Sequence, residues 1–184
     1  MQIKILALNK TKIISLVYFT ALLGVSIIAP LFHFQPITGP IVNSCLFVAT
    51  ALLGAQAGIM LGLLPSIVAL SVGTLPIALA PMVPFIMASN AIMVVVFSKL
   101  KSTECLTRCK ALGALLSAVI AASALKFLFL YSTSFVVLRL ISQKPVAQKA
   151  AQMMSYPQLI TALIGGIIAG MTSFGRLFGQ LVKN

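Results

Sequence analysis

The chain has 184 residues, 60% of them hydrophobic and only 8% charged, and its formal net charge is +12. Its mean hydropathy is +1.14, whereas a soluble domain carries charge on about a quarter of its residues; a soluble globular fold is therefore excluded. A nucleic-acid binder is excluded as well, because the basic residues sit at the edges of apolar segments and form no stripe interleaved with aromatics.

No charged side chain stands between Lys12 and Lys99. An uncharged run of that length lies mostly in lipid. The apolar segments are continuous and do not alternate, which favours helices over a membrane barrel. The expected fold is an all-α integral membrane protein, a single domain over residues 1–184 with six transmembrane helices.

The first span covers residues 13–32. It is long enough to cross and lacks the small-residue cleavage site of a signal peptide. The second covers 38–54 and the third 57–74, joined by the short link "GAQAG" in a tight hairpin. A proline-rich link, "GTLPIALAPMVP", leads into the fourth span at 82–98. Proline removes a backbone donor, so non-helical backbone here must be covered by protein or face a water-filled cavity. The basic loop "KLKSTECLTRCK" precedes the fifth span at 111–133. Residues 134–157 form the longest link, a candidate outer lid, with an interfacial helix as its alternative. The sixth span covers 158–178.

Charge parity supports this count. Nine basic residues fall at one side: Lys4, Lys10, Lys12, Lys99, Lys101, Arg108, Lys110, Arg176 and Lys183. Arg139, Lys144 and Lys149 fall at the other. The excess places both termini in the cytoplasm. Small residues recur at four-residue spacing, in Gly54, Gly58 and Gly62, in Ala114, Ala118 and Ala122, and in Gly166 and Gly170. Such stripes let helices approach closely.

Cys45, Cys105 and Cys109 lack the companions that a zinc site or iron–sulfur cluster requires. They read as reduced thiols, and no metal or cofactor is expected. There are no paired carboxylates, no Ser-His-Asp set and no phosphate-binding GxxxxGK[ST] loop, so no enzyme is expected.

Lys126 interrupts the apolar stretch "ALKFLFLYSTS". It continues the stripe of Ala114, Ala118 and Ala122, about 22 Å along the helix from residue 111 at ~1.5 Å per residue. The only acidic residue, Glu104, belongs to the opposite side. Lys126 either snorkels to outer headgroups or points into a cavity, where an intramembrane charge marks a site. An anionic ligand would supply its missing partner. Asn43, Asn90, Gln158 and Tyr156 gather on the same outer side as candidate ligand contacts. Arg139 would contribute from the lid. Phe127, Phe129 and Tyr131 either stack on a flat ligand or fill space. His33, near an outer boundary, is the only histidine, and no embedded carboxylate could carry protons for coupled transport.

Two stretches, "ITGPIVNSCLFVATALLGAQAGIMLGLLPSIVAL" and "LAPMVPFIMASNAIMVVVF", resemble the substrate-binding S component of energy-coupling factor (ECF) transporters. The similarity runs over roughly residues 13–170, through Pro40, Asn43, the Gly54–Gly62 hairpin, Pro84 and Asn90. It implies a compact six-helix bundle that holds a small micronutrient or vitamin-like solute near the outer face. It also implies a bacterial or archaeal plasma membrane, a transmembrane T component and two ATPase subunits. In that family the first span carries an Ala-x-x-x-Ala docking motif. Ala21, Val25 and Ala29 follow its spacing, with valine in the middle. A structural or assembly subunit of a larger complex, or a self-sufficient facilitator, are the alternative functions.

Overall fold

The structure, a computed structural model, describes residues 2–101, 108–140 and 152–181, and side-chain surroundings over 12–77, 79–101, 112–137 and 152–172. Among the described residues it is all-helical, with six α-helices and no strand. These are α1 (Gln2–Ile28), α2 (Gln35–Leu53), α3 (Ala55–Ser71), α4 (Val83–Leu100), α5 (Arg108–Leu140) and α6 (Tyr156–Leu181). Four stretches are long and apolar enough to cross a membrane: Lys12–Phe32, Gln35–Leu53, Leu79–Leu100 and Leu112–Val137. Ala55–Ser71 and Tyr156–Thr172 are shorter apolar helices. The chain is accordingly read as a membrane protein.

Consecutive helices run in opposite directions, so the bundle has two ends. Lys99 and Lys101 mark one, the lysine end, to which the basic N-terminal part of α1 also belongs. Pro30, Pro36, Pro76, Pro84 and Pro157 mark the other, the proline end. Pro36 and Pro84 sit in the first turns of α2 and α4, where a missing N–H costs no intrahelical bond.

The connections differ from their expected form. The hairpin between α2 and α3 needs one residue, Gly54, at φ 95°. An L side chain is disfavoured at that angle, which glycine adopts freely. Gly54 is thus the turn itself, and the close-packing positions on α3 are Gly58 and Gly62. The proline-rich link winds into a 3-10 segment, Ile77–Met82, that runs straight into α4. Its Leu79 and Met82 are fully buried. With Leu75, Val83, Leu130, Val137 and Met154 they form a small core that closes the proline end.

The fifth helix also runs farther than its polar sequence suggests. "STS" reads as a loop start, yet α5 continues to Leu140. Thr133 Oγ1 donates to the Phe129 carbonyl at 2.8 Å and Ser134 Oγ to the Tyr131 carbonyl at 2.7 Å. Hydroxyls bonded back to their own helix need no water. Residues 134–140 therefore belong to α5 and not to a lid. The part of the expected lid at 141–151, with Lys144 and Lys149, lies outside the described residues. So do Glu104 and Cys105.

Helix α2 is the hub, packed against α1, α3, α4 and α6, while α5 packs on α4 and α6. The main core joins Leu46, Phe47, Leu61, Met93, Val94 and Phe97 to the small side chains of Ala118, Ala122 and Ala162. Phe47 and Phe97 meet edge to face, centroids 4.8 Å apart. Helix α2 also packs closely against α6. A Cβ on Gly165 would stand 2.7 Å from Asn43 Cβ and 2.9 Å from the Pro40 carbonyl oxygen. Ser44 Oγ donates to the Gly165 carbonyl at 3.0 Å across the same contact.

Candidate functional site

A cavity of about 110 Å³ lies in the proline-end half of the bundle. Helices α2, α3, α4, α5 and α6 all contribute to its wall, with Asn43, Ser66, Asn90, Lys126 and Gln158 among the polar residues. Leu75, Ile86, Met153 and Met154 supply apolar wall.

Lys126 is only 3% exposed and Asn43 only 2%. The ammonium does not reach outward along its stem. Its Nζ turns inward and donates to Asn43 Oδ1 at 2.6 Å. The local sequence explains this direction. Ala118 and Ala122, on the same face of α5, are fully buried, so that face is turned into the protein and Lys126 follows it. Asn43 is held from the opposite side by Gly165 of α6, whose missing Cβ leaves room for the Asn43 stem.

Asn90, on α4, donates from Nδ2 to the Gly62 carbonyl at 3.0 Å. Gly62 also lets α4 come close, since a Cβ there would stand 3.1 Å from Asn90 Cβ. Gln158 lines the cavity and donates to the Met153 carbonyl at 3.3 Å. Gln35, from the first turn of α2, donates to the same carbonyl at 3.3 Å. Two side-chain amides thus hold one backbone oxygen of the segment before α6. Met154 beside it is buried in the core of the proline end.

Two of the expected site residues stand elsewhere. Tyr156 is 71% exposed and does not line the cavity. Its ring stacks on Phe127 at 6.0 Å, in a ladder continued by Tyr131 and Phe135 on the outer surface of α5. Tyr156 is the first residue of α6, just ahead of Pro157, and its side chain stands on the surface of the bundle. Arg139 lies in α5, and its side chain is outside the described residues.

The expected docking triplet is also split. Ala21 and Val25 are exposed on α1, with Val25 at 48%. Ala29 is buried, because the chain turns at Pro30 into a 3-10 segment, Ala29–Phe32. Thr38 then closes over it, donating to the Ala29 carbonyl at 3.0 Å.

Sequence reasoning passed over four features of the site. Ser66 reaches the cavity from α3 beside Pro65, and a polar residue after a mid-span proline was the available signal. The doublet Met153–Met154 was a second. Gly165 stands beside the Gly166 and Gly170 stripe and is the contact that positions Asn43. Thr74 donates to the Pro30 carbonyl at 2.7 Å and lies 3.3 Å from His33 Nδ1, tying two rim loops together; nothing in the spacing pairs them. Ser123 Oγ, one turn before Lys126, is buried without a hydrogen-bond partner among the described residues.

A second, larger depression of about 380 Å³ lies along the outside of α2 and α6. Its wall includes Pro36, Pro157, Ile160 and Ile164, and both isoleucines are exposed. An apolar groove on the outside of a membrane bundle is filled by lipid, so the smaller interior cavity is the candidate site. At the lysine end, Lys101 Nζ donates to the carbonyls of Thr50 at 2.6 Å and Ala51 at 3.2 Å. It caps the last turn of α2. Among the described residues no group of histidine, cysteine and carboxylate ligands could hold a metal. No family model matches the chain, and no curated protein or solved structure matches it.

Proposed function

We propose that this chain is a membrane-embedded substrate-binding subunit for uptake of a small micronutrient or vitamin-like solute, of the kind found as S components of ECF transporters. The observation that carries the reading is the interior cavity itself. It is walled by five helices, and it holds a buried lysine whose hydrogen bond is to an amide and not to an acid. A purely structural bundle gains nothing from an ammonium there, since a buried charge without a counter-charge is costly. A binding subunit gains a fixed recognition group.

In this reading the proline end faces outward and the lysine end the cytoplasm, as the distribution of basic residues favours. Solute enters from the proline end. The chain has no nucleotide-binding loop, so energy comes from two ATPase subunits through a transmembrane T component. The docking face for such a partner is the exposed Ala21–Val25 stretch of α1.

The test is native mass spectrometry of the purified protein, followed by uptake in liposomes with and without an ATPase module. A retained small molecule, and uptake that requires the module and ATP, are the expected results. Lys126→Met should weaken retention at least tenfold while membrane insertion is unchanged. Uptake by this chain alone would identify a self-sufficient facilitator. A stable complex that never binds solute would identify an assembly subunit.

A further inference from the structure

We propose that the Lys126–Asn43 cavity takes a compact monocarboxylate, with its carboxylate on the Lys126 ammonium and the Asn43 NH2 group and its apolar body against Leu75, Ile86 and Met154. This rests on the capture reading above and narrows its substrate class.

The first argument is donor polarity. An ammonium only donates. Its 2.6 Å contact with the Asn43 amide therefore fixes which way that amide points: oxygen toward lysine, NH2 away from it. Among the described residues, the other two ammonium hydrogens and the Asn43 NH2 group have no acceptor. The Asn90 NH2 group is already used on Gly62. Lys126 and Asn43 themselves therefore present free donors to the cavity, while Asn90 keeps its Oδ1 as an acceptor on the α4 wall. An ionised carboxylate accepts only, and it accepts more strongly than a neutral carbonyl.

The second argument is charge. One ammonium faces the cavity, and no acid is found among the described residues. A monoanion cancels it. A dianion such as a phosphate monoester would leave one charge uncompensated at this depth, which is as costly as the bare lysine.

The third argument is size. With a water-sized centre taking ~10–15 Å³, a cavity of about 110 Å³ holds roughly ten heavy atoms. A small aromatic or short aliphatic acid fits. A membrane fatty acid carries the same headgroup, but its chain exceeds the space.

The experiment uses the full chain in lipid nanodiscs and follows thermal unfolding with matched acid and amide pairs. The pairs are propionate and propionamide, hexanoate and hexanamide, benzoate and benzamide; palmitate is the lipid arm. The expected result is that a short carboxylate raises the midpoint by several degrees and its amide does not. Lys126→Gln keeps a donor for Asn43 and removes the charge, so it should lose that shift, with at least tenfold weaker binding. An amide as effective as its acid overturns the proposal, as does a shift retained in K126Q or a response to palmitate alone. The acid–amide comparison in the unsubstituted protein decides the matter even if K126Q fails to fold. A retained native solute without an acidic group overturns the carboxylate assignment and leaves the capture reading standing. A protein that binds no solute of any class overturns both.

Discussion

Replacing Gly165 with alanine tests the packing and the site in one step. The added methyl would stand 2.7 Å from Asn43 Cβ, 2.9 Å from the Pro40 carbonyl oxygen and 2.9 Å from the Ser44 amide nitrogen. Ordinary contact begins near 3.4 Å, so all three are too close. None is the free end of a flexible chain: two are backbone and the third is a Cβ. Relief requires α2 and α6 to move apart by roughly half an ångström or more. Overpacking of this kind costs about 1–3 kcal/mol. Alanine returns ~0.5–1 kcal/mol through its better helix propensity. The net loss is about 1–2 kcal/mol, a fall of ~2–8 °C in midpoint for a chain of this size. Movement of α2 also carries Asn43 away from Lys126, so retained solute should fall with stability. Gly24→Ala is the control, because nothing lies within 4 Å of its added Cβ. Thermal unfolding in nanodiscs, with mass spectrometry of retained solute, reads both effects. If G165A melts with the parent and keeps its solute, the close α2–α6 contact is not what positions the site.

Three further outcomes follow from the same geometry. Replacing Gln35 and Gln158 together with leucine removes both donors from the Met153 carbonyl, at a cost of about 1 kcal/mol for each bond; hydrogen exchange at residues 152–158 should accelerate, and unchanged protection would show that the amides do not hold this segment. His33 sits at φ 51°, so His33→Ala should be less stable than His33→Gly by about 1 kcal/mol, both having lost the ring near Thr74; equal melting would mean that the loop relaxes out of that conformation. Burial pushes the Lys101 ammonium below its ordinary 10.5, which means that the folded state binds fewer protons than the unfolded state between the lowered value and 10.5. Stability should therefore rise with pH across that window, and Lys101→Met should flatten the rise while freeing the Thr50 and Ala51 carbonyls. A pH profile identical to the parent's would remove Lys101 as its source.

Much of this arrangement was written in the chain itself, because lipid imposes a simple rule. A polypeptide without charge between Lys12 and Lys99 cannot stay in water, and backbone in lipid must pair with itself. The helical class and the basic edges of the segments follow from that, as does the singularity of Lys126. Its inward direction was also hinted at by the alanines one and two turns before it. Element boundaries were less legible. "STS" reads the same whether its hydroxyls meet water or their own helix, and the bonds of Thr133 and Ser134 to preceding carbonyls decided for helix. Three prolines in one link look like an open loop until Leu79 and Met82 are seen filling the core of the proline end. Partnership across helices is a tertiary property. Asn43 meets Lys126 across 83 positions of sequence, and Gly165 meets Asn43 across a contact that no spacing along one helix encodes. Local periodicity decides which face of a helix is turned inward; only the packing of α2, α5 and α6 together decides which groups on those faces come within bonding distance.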